Sequence, residues 1–154
     1  MRLFVLTLGL LGLGVTPAVA KDEAPPSPEQ SMVKYRQLEM SAIARHFGSI
    51  KRIVKGEVDR PQDLAGHTAA VVALSKDLPG QFPKGTGPDS KLDTSVLDTV
   101  WTESEKFAKM AKDFEAAAAA LDAAAQKGDM EAVAAAFGKT GELCGSCHDD
   151  FTKD

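Results

Sequence analysis

The chain has 154 residues, of which 18 are lysine or arginine and 22 are aspartate or glutamate, giving a formal net charge of −4. This size suits a single domain with one hydrophobic core. The acidic balance argues against nucleic acid as a partner, because nucleic-acid binding needs clustered basic side chains.

The N-terminal segment has the pattern of a secretory signal peptide. Arg2 supplies a positive charge, residues 3–15 are mostly apolar, and the small residues Ala-Val-Ala occupy positions 18–20. We predict a signal peptide over residues 1–20, cleaved after Ala20, and a periplasmic location for the mature chain. A retained membrane anchor is the alternative, but the apolar run is short for one. No later segment is apolar enough to span a membrane, so the mature chain is expected to have no membrane span.

The rest of the sequence predicts an all-α protein, specifically an antiparallel four-helix bundle. Residues 21–27 are expected to form a flexible leader, and residues 28–154 the bundle domain. Apolar residues recur at helical spacing in four segments. These run from Pro28 to Val54, from Pro61 to Leu78, from Thr102 to Gln126, and from Met130 to the last residues. The connection over residues 80–98 is rich in Gly, Pro, Ser and Asp and is expected to be irregular. The links on either side of it are short, which favours antiparallel neighbours.

The first predicted helix has clear signals at both ends. Ser27 is a candidate N-cap, with Pro28 at the first helical position and Gln30 completing a capping box. Gly56 is expected to end the helix. This helix also carries a stripe of apolar residues, which include Met32, Met40 and Phe47.

The stretch GELCGSCHDD, residues 141–150, holds both cysteines of the chain and a histidine directly after the second. On the fourth helix, Cys144, Cys147 and His148 fall at roughly 0°, 300° and 40°, so they share one face. The Cys-x-x-Cys-His pattern is typical of the attachment site of a c-type haem. Gly141 and Gly145 lower helix stability, which is easier to explain if a bulky group comes close.

Three other interpretations of the two cysteines are weaker. A thioredoxin-like redox pair needs a strand leading into its helix, and no strand is predicted. Structural zinc needs about four ligands, whereas this motif offers three. A disulfide between residues three apart on a helix has poor geometry. A colourless, disulfide-bonded helical bundle nevertheless stays open as an alternative at this point.

The chain resembles the class II c-type cytochromes, the cytochrome c′ group. The resemblance covers nearly the whole mature chain, through five segments in the same order. They are VKYRQLEM (33–40), HFGSIKRIVKGE (46–57), FPKGTG (82–87), VWTESEKF (100–107) and GDMEAVAAAFGKTGELCGSCHDDF (128–151). The resemblance implies a four-helix bundle with one covalent haem c, thioether bonds from Cys144 and Cys147, and His148 as proximal iron ligand. It also allows a homodimer.

The distal side of the iron separates two branches of this family. In the high-spin branch an apolar side chain on the first helix blocks the distal face, and the iron is five-coordinate and open to small gases. In the other branch a methionine makes it six-coordinate and low-spin. Aligned on Tyr35-Arg36-Gln37, the distal position in this chain is Met40, which is therefore expected to be the second iron ligand. A simple core methionine is the alternative. Met32, two turns earlier, is expected to lie too near the start of the helix.

The remaining candidate residues have supporting roles. Arg36 and Gln37 resemble family residues near the haem propionates, where a cation beside a carboxylate is favourable. His46 is expected to be a packing or surface residue and His67 to be solvated. Trp101 is expected in the core or against the haem. Many family members have a basic residue four positions after the proximal histidine, and Thr152 stands there in this chain.

The sequence therefore predicts a periplasmic, monohaem electron carrier with iron held by His148 and Met40. Its partner would be an unidentified redox protein, and neither a substrate nor catalytic residues are expected. The alternative function is a five-coordinate cytochrome c′ that binds nitric oxide or carbon monoxide.

Overall fold

The computed structural model describes residues 25–153. The predicted signal peptide, the first part of the predicted leader and the last residue lie outside these described residues. The described part contains five α-helices, which are α1 (Pro28–Val54), α2 (Leu64–Leu74), α3 (Thr99–Thr102), α4 (Ser104–Lys127) and α5 (Met130–Phe151), and three short 3₁₀ turns. Apart from one isolated β-bridge between Val96 and Thr152, residues 25–153 have no strand pairing.

The four longer helices form the predicted antiparallel four-helix bundle. Helix α1 packs against α2 and α5, and α4 packs against the same two helices. Each helix therefore has two neighbours, as at the corners of a square. Over the described residues, none of the helices is both long enough and apolar enough to cross a membrane.

Helix α1 has the predicted bounds because its end signals are local. The Gln30 backbone N–H donates to Ser27 Oγ at 3.2 Å, and the Ser27 backbone N–H donates to Gln30 Oε1 at 2.7 Å. These two bonds form the predicted capping box and satisfy N–H groups that the helix itself leaves free. Just beyond the helix, Gly56 has a φ of +70°, a left-handed conformation that favours glycine.

Helices α2 and α4 differ from the prediction at their ends. The predicted second helix continues to Leu78, but α2 ends at Leu74. Asp77 has a left-handed backbone with φ of 52°, which no helix can continue through, and a 3₁₀ turn follows over Leu78–Gln81. The predicted third helix begins at Thr102, whereas the structure has the short α3 and then α4. Glu103, with φ −115° and ψ 40°, separates these two helices.

The bundle has two ends with different contents. The closed end consists of Ile53, Leu64, Leu121, Ala125 and Val133, which are at most 9% exposed and belong to one hydrophobic cluster. The cavity end contains a second cluster of Val96, Val100, Phe107 and Phe151, against which Phe82, Trp101, Met110 and Cys147 pack. The predicted irregular connection covers this second end.

Candidate functional site

A cavity of about 1020 Å³ lies between α1, α4, α5 and the connection that precedes α3. Pockets for small molecules and cofactors usually measure roughly 300–1,000 Å³, so this cavity is large enough for a cofactor. Its walls are mainly apolar and aromatic side chains. They include Met40, Ile43, Phe47, Phe82, Phe107, Met110, Phe114, Phe137, Leu143 and Phe151.

The residues of the Cys-x-x-Cys-His motif all line this cavity from α5. Cys144 and Cys147 are half-buried and form no disulfide with each other, while His148 is exposed. Burial raises the pKa of both thiols, and for Cys147 the neighbouring Cys144 and Asp150 raise the pKa further. Within residues 25–153, no group of three or more His, Cys, Asp or Glu side chains could hold a metal ion. The donor set therefore fits a haem anchored in an apolar cavity better than zinc.

The two glycines of this part of α5 are not required by packing within the polypeptide. A Cβ atom on Gly141 would meet the Phe47 ring at 3.6 Å, an ordinary van der Waals distance. A Cβ atom on Gly145 would meet nothing within 4 Å. The expectation that both glycines make room for a bulky group stays a prediction.

Met40 contributes to the cavity from α1. Its side chain is half-buried and packs against the main hydrophobic cluster, as does Phe47 two turns later. The Phe47 ring stacks on Phe137 of α5, with centroids 4.3 Å apart and planes inclined by 21°. Met32 is not among the residues that line the cavity. Of the two methionines considered on this helix, only Met40 is thus able to face a group bound there.

Arg36 is a buried cation at the edge of the cavity, with 2% of its surface exposed. Its Nη1 donates to Thr86 Oγ1 at 2.7 Å, and its Nη2 donates to the Thr86 carbonyl at 2.7 Å and to Thr94 Oγ1 at 2.9 Å. Its guanidinium carbon also lies 4.7 Å from the centroid of the Phe82 ring. Burial lowers the pKa of Arg36. Arg36 therefore fixes the connection to α1, a role that sequence reasoning did not find.

Gln37 has a similar role on the exposed side. Its Nε2 donates to the Asp93 carbonyl at 2.8 Å, and its side chain also lines the cavity. The sequence predicted that Arg36 and Gln37 lie near haem propionates. Both residues are at the cavity, and a role beside the propionates stays a prediction.

Trp101 and Thr152 lie near the motif without belonging to it. Trp101 packs against the cluster at the cavity end, and its Nε1 donates to the Phe82 carbonyl at 2.9 Å. Thr152 lines the cavity, and its Oγ1 donates to the His148 carbonyl at 2.9 Å. Thr152, four residues after His148, thus caps the C-terminal end of α5 with a side-chain hydrogen bond.

Two histidines form a pair that the sequence did not predict. His46 on α1 and His67 on α2 have their Nδ1 atoms 3.0 Å apart, and both are half-buried. His67 is therefore only partly exposed and paired with His46, whereas a solvated side chain was expected. No sequence signal connects the two residues, because they meet only when α1 packs on α2.

Comparison with known proteins identifies the fold and its cofactor. The cytochrome c′ family model matches residues 31–152. Cytochrome c′ of Rubrivivax gelatinosus is 34% identical over 119 residues, which are 77% of this chain and 92% of that protein. Its crystal structure has a TM-score of 0.75 and 34% identity, with 81% of this chain and 97% of that chain covered.

Two further comparisons concern a relative with another name and a relative with a bound gas. Cytochrome c-554 of Cereibacter sphaeroides is 32% identical over 124 residues, covering 79% of this chain and 92% of that protein. The nitric oxide complex of a leucine-to-alanine variant of cytochrome c′ from Alcaligenes xylosoxidans has a TM-score of 0.75 and 27% identity. The alignment covers 84% of this chain and 99% of that structure.

These comparisons support the family but not the predicted methionine-ligated branch. Cytochromes c′ typically have high-spin, five-coordinate iron, so the comparisons favour the alternative of a gas-binding protein over iron held by both His148 and Met40. The family is periplasmic, and its members are often homodimers. The chain belongs to the cytochrome c′ family of class II c-type cytochromes and binds one covalently attached haem c.

Proposed function

We propose that this protein is a periplasmic haem protein that binds nitric oxide or carbon monoxide at the distal face of a five-coordinate iron. Residues 1–20 would direct export and be removed. The observation that carries the proposal is the large apolar cavity lined by Cys144, Cys147 and His148 in a chain of the cytochrome c′ family. The nitric oxide complex of the Alcaligenes relative supports the choice of ligand.

In this proposal, the residues of α5 hold the cofactor. Cys144 and Cys147 would form the thioether bonds, and His148 would ligate the iron. When bound, haem c supplies an iron that takes up or releases one electron and that can bind a diatomic gas. The apolar cavity walls would exclude water from the cofactor and disfavour additional charge beside it.

Arg36 and Gln37 would interact with the carboxylates at the edge of the cofactor. A guanidinium has five N–H donors, and Arg36 uses three of them for Thr86 and Thr94. Two N–H groups thus stay available for a propionate. The connection would hold this cation in place before the carboxylate arrives, which reduces the entropy lost on pairing.

In a five-coordinate protein, Met40 would be an apolar cap over the distal face. The side chain of methionine is unbranched and flexible, so it can fill the space beside a small gas and move when the gas enters. Ile43 and Phe47 follow it along the same helix and complete an apolar wall. This wall would admit a small neutral gas more easily than a charged ligand.

A second candidate function is electron transfer with Met40 as the sixth ligand. The observation that favours it is that Met40 carries its thioether on the wall of the same cavity. A methionine ligand opposite histidine raises the reduction potential of haem. The partner would then be a redox protein that meets the exposed edge of the cofactor near His148.

The absorption spectrum and carbon monoxide kinetics of the holoprotein separate the two functions. For the gas-binding function, we expect high-spin bands in the wild-type protein and the Met40→Leu variant. Carbon monoxide association should then change by less than about tenfold, because the two side chains have similar volumes.

The opposite result would support the electron carrier. In that case the wild type would show low-spin bands with a sulfur-to-iron charge-transfer feature. The Met40→Leu variant would lose these bands, and its reduction potential would fall. This pair of results would contradict the gas-binding proposal. Met32→Leu is the matched control, because it removes a thioether from α1 outside the cavity. It should leave the spectrum and the kinetics unchanged.

A further inference from the structure

The histidine pair joins two helices at a place outside the haem cavity. His46 and His67 have their Nδ1 atoms 3.0 Å apart, with ring centroids separated by 5.2 Å and ring planes inclined by 58°. Neither residue lines the cavity. The chain has three histidines, and the third, His148, is assigned to the haem. Neither His46 nor His67 therefore has an assigned role in the haem site.

The arrangement brings two nitrogen donors to one point. In the paired state one Nδ1 carries a proton and donates it to the other. If both rings carry their proton on Nε2 instead, both Nδ1 lone pairs become available. Zinc–nitrogen bonds of about 2.0–2.1 Å in a tetrahedral shell place two ligand nitrogens about 3.3–3.4 Å apart. The two nitrogens would need to separate by a few tenths of an ångström, and the rings would need to rotate until both lone pairs point at the cation.

The neighbouring residues supply no further protein ligand, but the pair is not sealed from solvent. Both imidazoles are only partly buried, and Gly66, next to His67, is exposed. Asp63 lies one turn before His67, but its carboxylate is bound by Arg60 at 2.8 and 3.2 Å. Since no described cluster offers three protein ligands, water would complete the shell.

We propose that His46 and His67 form a two-histidine binding site for a borderline divalent cation, with Zn²⁺ and Cu²⁺ as the class that it takes. Neutral imidazole suits these ions, whereas hard cations such as Mg²⁺ prefer oxygen. Because the two ligands belong to α1 and α2, a bound cation would hold these helices together. This proposal does not depend on whether Met40 ligates the haem iron.

Calorimetric titration of the holoprotein with ZnCl₂ tests this proposal. One Zn²⁺ should bind per chain, and its binding should raise the melting temperature, because a ligand that binds only the folded state stabilises it. His46→Gln and His67→Gln should each weaken binding at least about tenfold, since even the loss of an outer-shell partner costs 10–100-fold. The double variant should bind no more tightly than either single variant, because neither imidazole ligand is left. MgCl₂ serves as the control titration and should give no binding.

A measurement on the wild-type protein does not depend on whether the variants fold. In ¹⁵N-labelled holoprotein, ZnCl₂ should shift the Nδ1 resonances of His46 and His67 together and leave those of His148 unchanged. Either of two results would overturn the proposal: no saturable binding to the wild type, or binding of unchanged affinity in both single variants. The pair would then be an ordinary hydrogen bond between helices.

Discussion

The closed end and the cavity end of the bundle are built from different side chains. The closed end is aliphatic, with Leu121 and Val133 fully buried and Ala125 allowing α4 to approach its neighbours. The cavity end is aromatic, with Phe107 edge-on to both Phe82 and Phe151 at centroid distances of 4.9 and 5.1 Å. Small aliphatic residues can fill the space between helices by themselves. The rigid rings surround a volume that the protein does not fill.

This difference assigns separate tasks to the two ends. The closed end supplies packing that depends only on the polypeptide, so its stability should be independent of the cofactor. At the cavity end, the hydrogen bonds from Arg36 to the connection lie at the edge of the cavity. The centre of the cavity can hold the haem. Stability and cofactor binding can therefore be changed separately by substitutions at the two ends.

The largest effect is expected from removing both thiols at the cavity end. The Cys144→Ala, Cys147→Ala double variant should lose essentially all covalent haem, because no thioether bond can form. Without the cofactor, amide hydrogen exchange should become fast around Phe107 and Phe151 and stay slower around Leu121 and Val133. Acid extraction of the haem and exchange measured by mass spectrometry check these two results.

The matched control for that variant is Ser146→Ala, which changes an exposed residue between the two cysteines. It should retain covalent haem. Haem that resists extraction in the double variant would contradict the assignment of the two cysteines. Uniform loss of protection over both ends would contradict the independence of the closed end.

A smaller effect is expected at the closed end. Leu121→Ala removes a fully buried side chain and should lower the free energy of unfolding by about 2–5 kcal/mol through lost burial and the cavity left behind. The visible spectrum should be unchanged, since Leu121 does not line the haem cavity. Guanidinium denaturation of the holoprotein measures the loss.

Met130→Ala provides the comparison, because Met130 is 39% exposed at the start of α5. It should change the free energy of unfolding by no more than about 0.5 kcal/mol. If Leu121→Ala cost as little as this, the closed end would not be the rigid part of the bundle.

The smallest effect is expected from removing the Arg36 hydrogen bonds at the cavity end. Arg36→Met keeps an unbranched apolar stem but removes the donors to Thr86 and Thr94. The free energy of unfolding should fall by about 1–3 kcal/mol, the cost of leaving buried polar groups without partners. Urea denaturation measures this change.

Two further variants sharpen the measurement on Arg36. Arg45→Met, at an exposed position of the same helix, should be nearly neutral. Adding Thr86→Val to Arg36→Met should not recover the loss, because Thr86 Oγ1 also donates to the Pro83 carbonyl at 2.8 Å and valine would leave that carbonyl without its partner. A cost for Arg45→Met equal to that of Arg36→Met would show that the buried hydrogen bonds are not the cause.

The fold and the motif were predictable where the signals are local. Ser27 and Gln30 are three residues apart, so the start of α1 could be read from their types alone. The shared face of Cys144, Cys147 and His148 follows from helical geometry, and Met40 on the cavity wall was reached through the family resemblance. The family and its haem were predicted correctly, whereas the methionine-ligated branch was not supported by the comparisons.

The features that were missed depend on contacts between distant segments. Arg36 and Thr86 are 50 residues apart, and His46 and His67 are 21 apart. No local pattern encodes such a pair, because it depends on how two elements come to lie side by side. The early end of α2 has a similar origin, since the left-handed backbone of Asp77 is unusual for a residue other than glycine.

The attachment of the C-terminal residues to the connection has a consequence for the order of folding. The Leu97 N–H donates to the Phe151 carbonyl, and the Lys153 N–H donates to the Ser95 carbonyl. Thr99 Oγ1 likewise donates to the Asp150 carbonyl across a separation of 51 residues. Closing so long a loop costs more chain entropy than pairing α4 with α5 across their short turn, so these bonds are expected to form late. Cys147 and His148 lie immediately before the residues that make these hydrogen bonds. The haem-attachment sequence would therefore stay accessible to incoming haem until the last steps of folding.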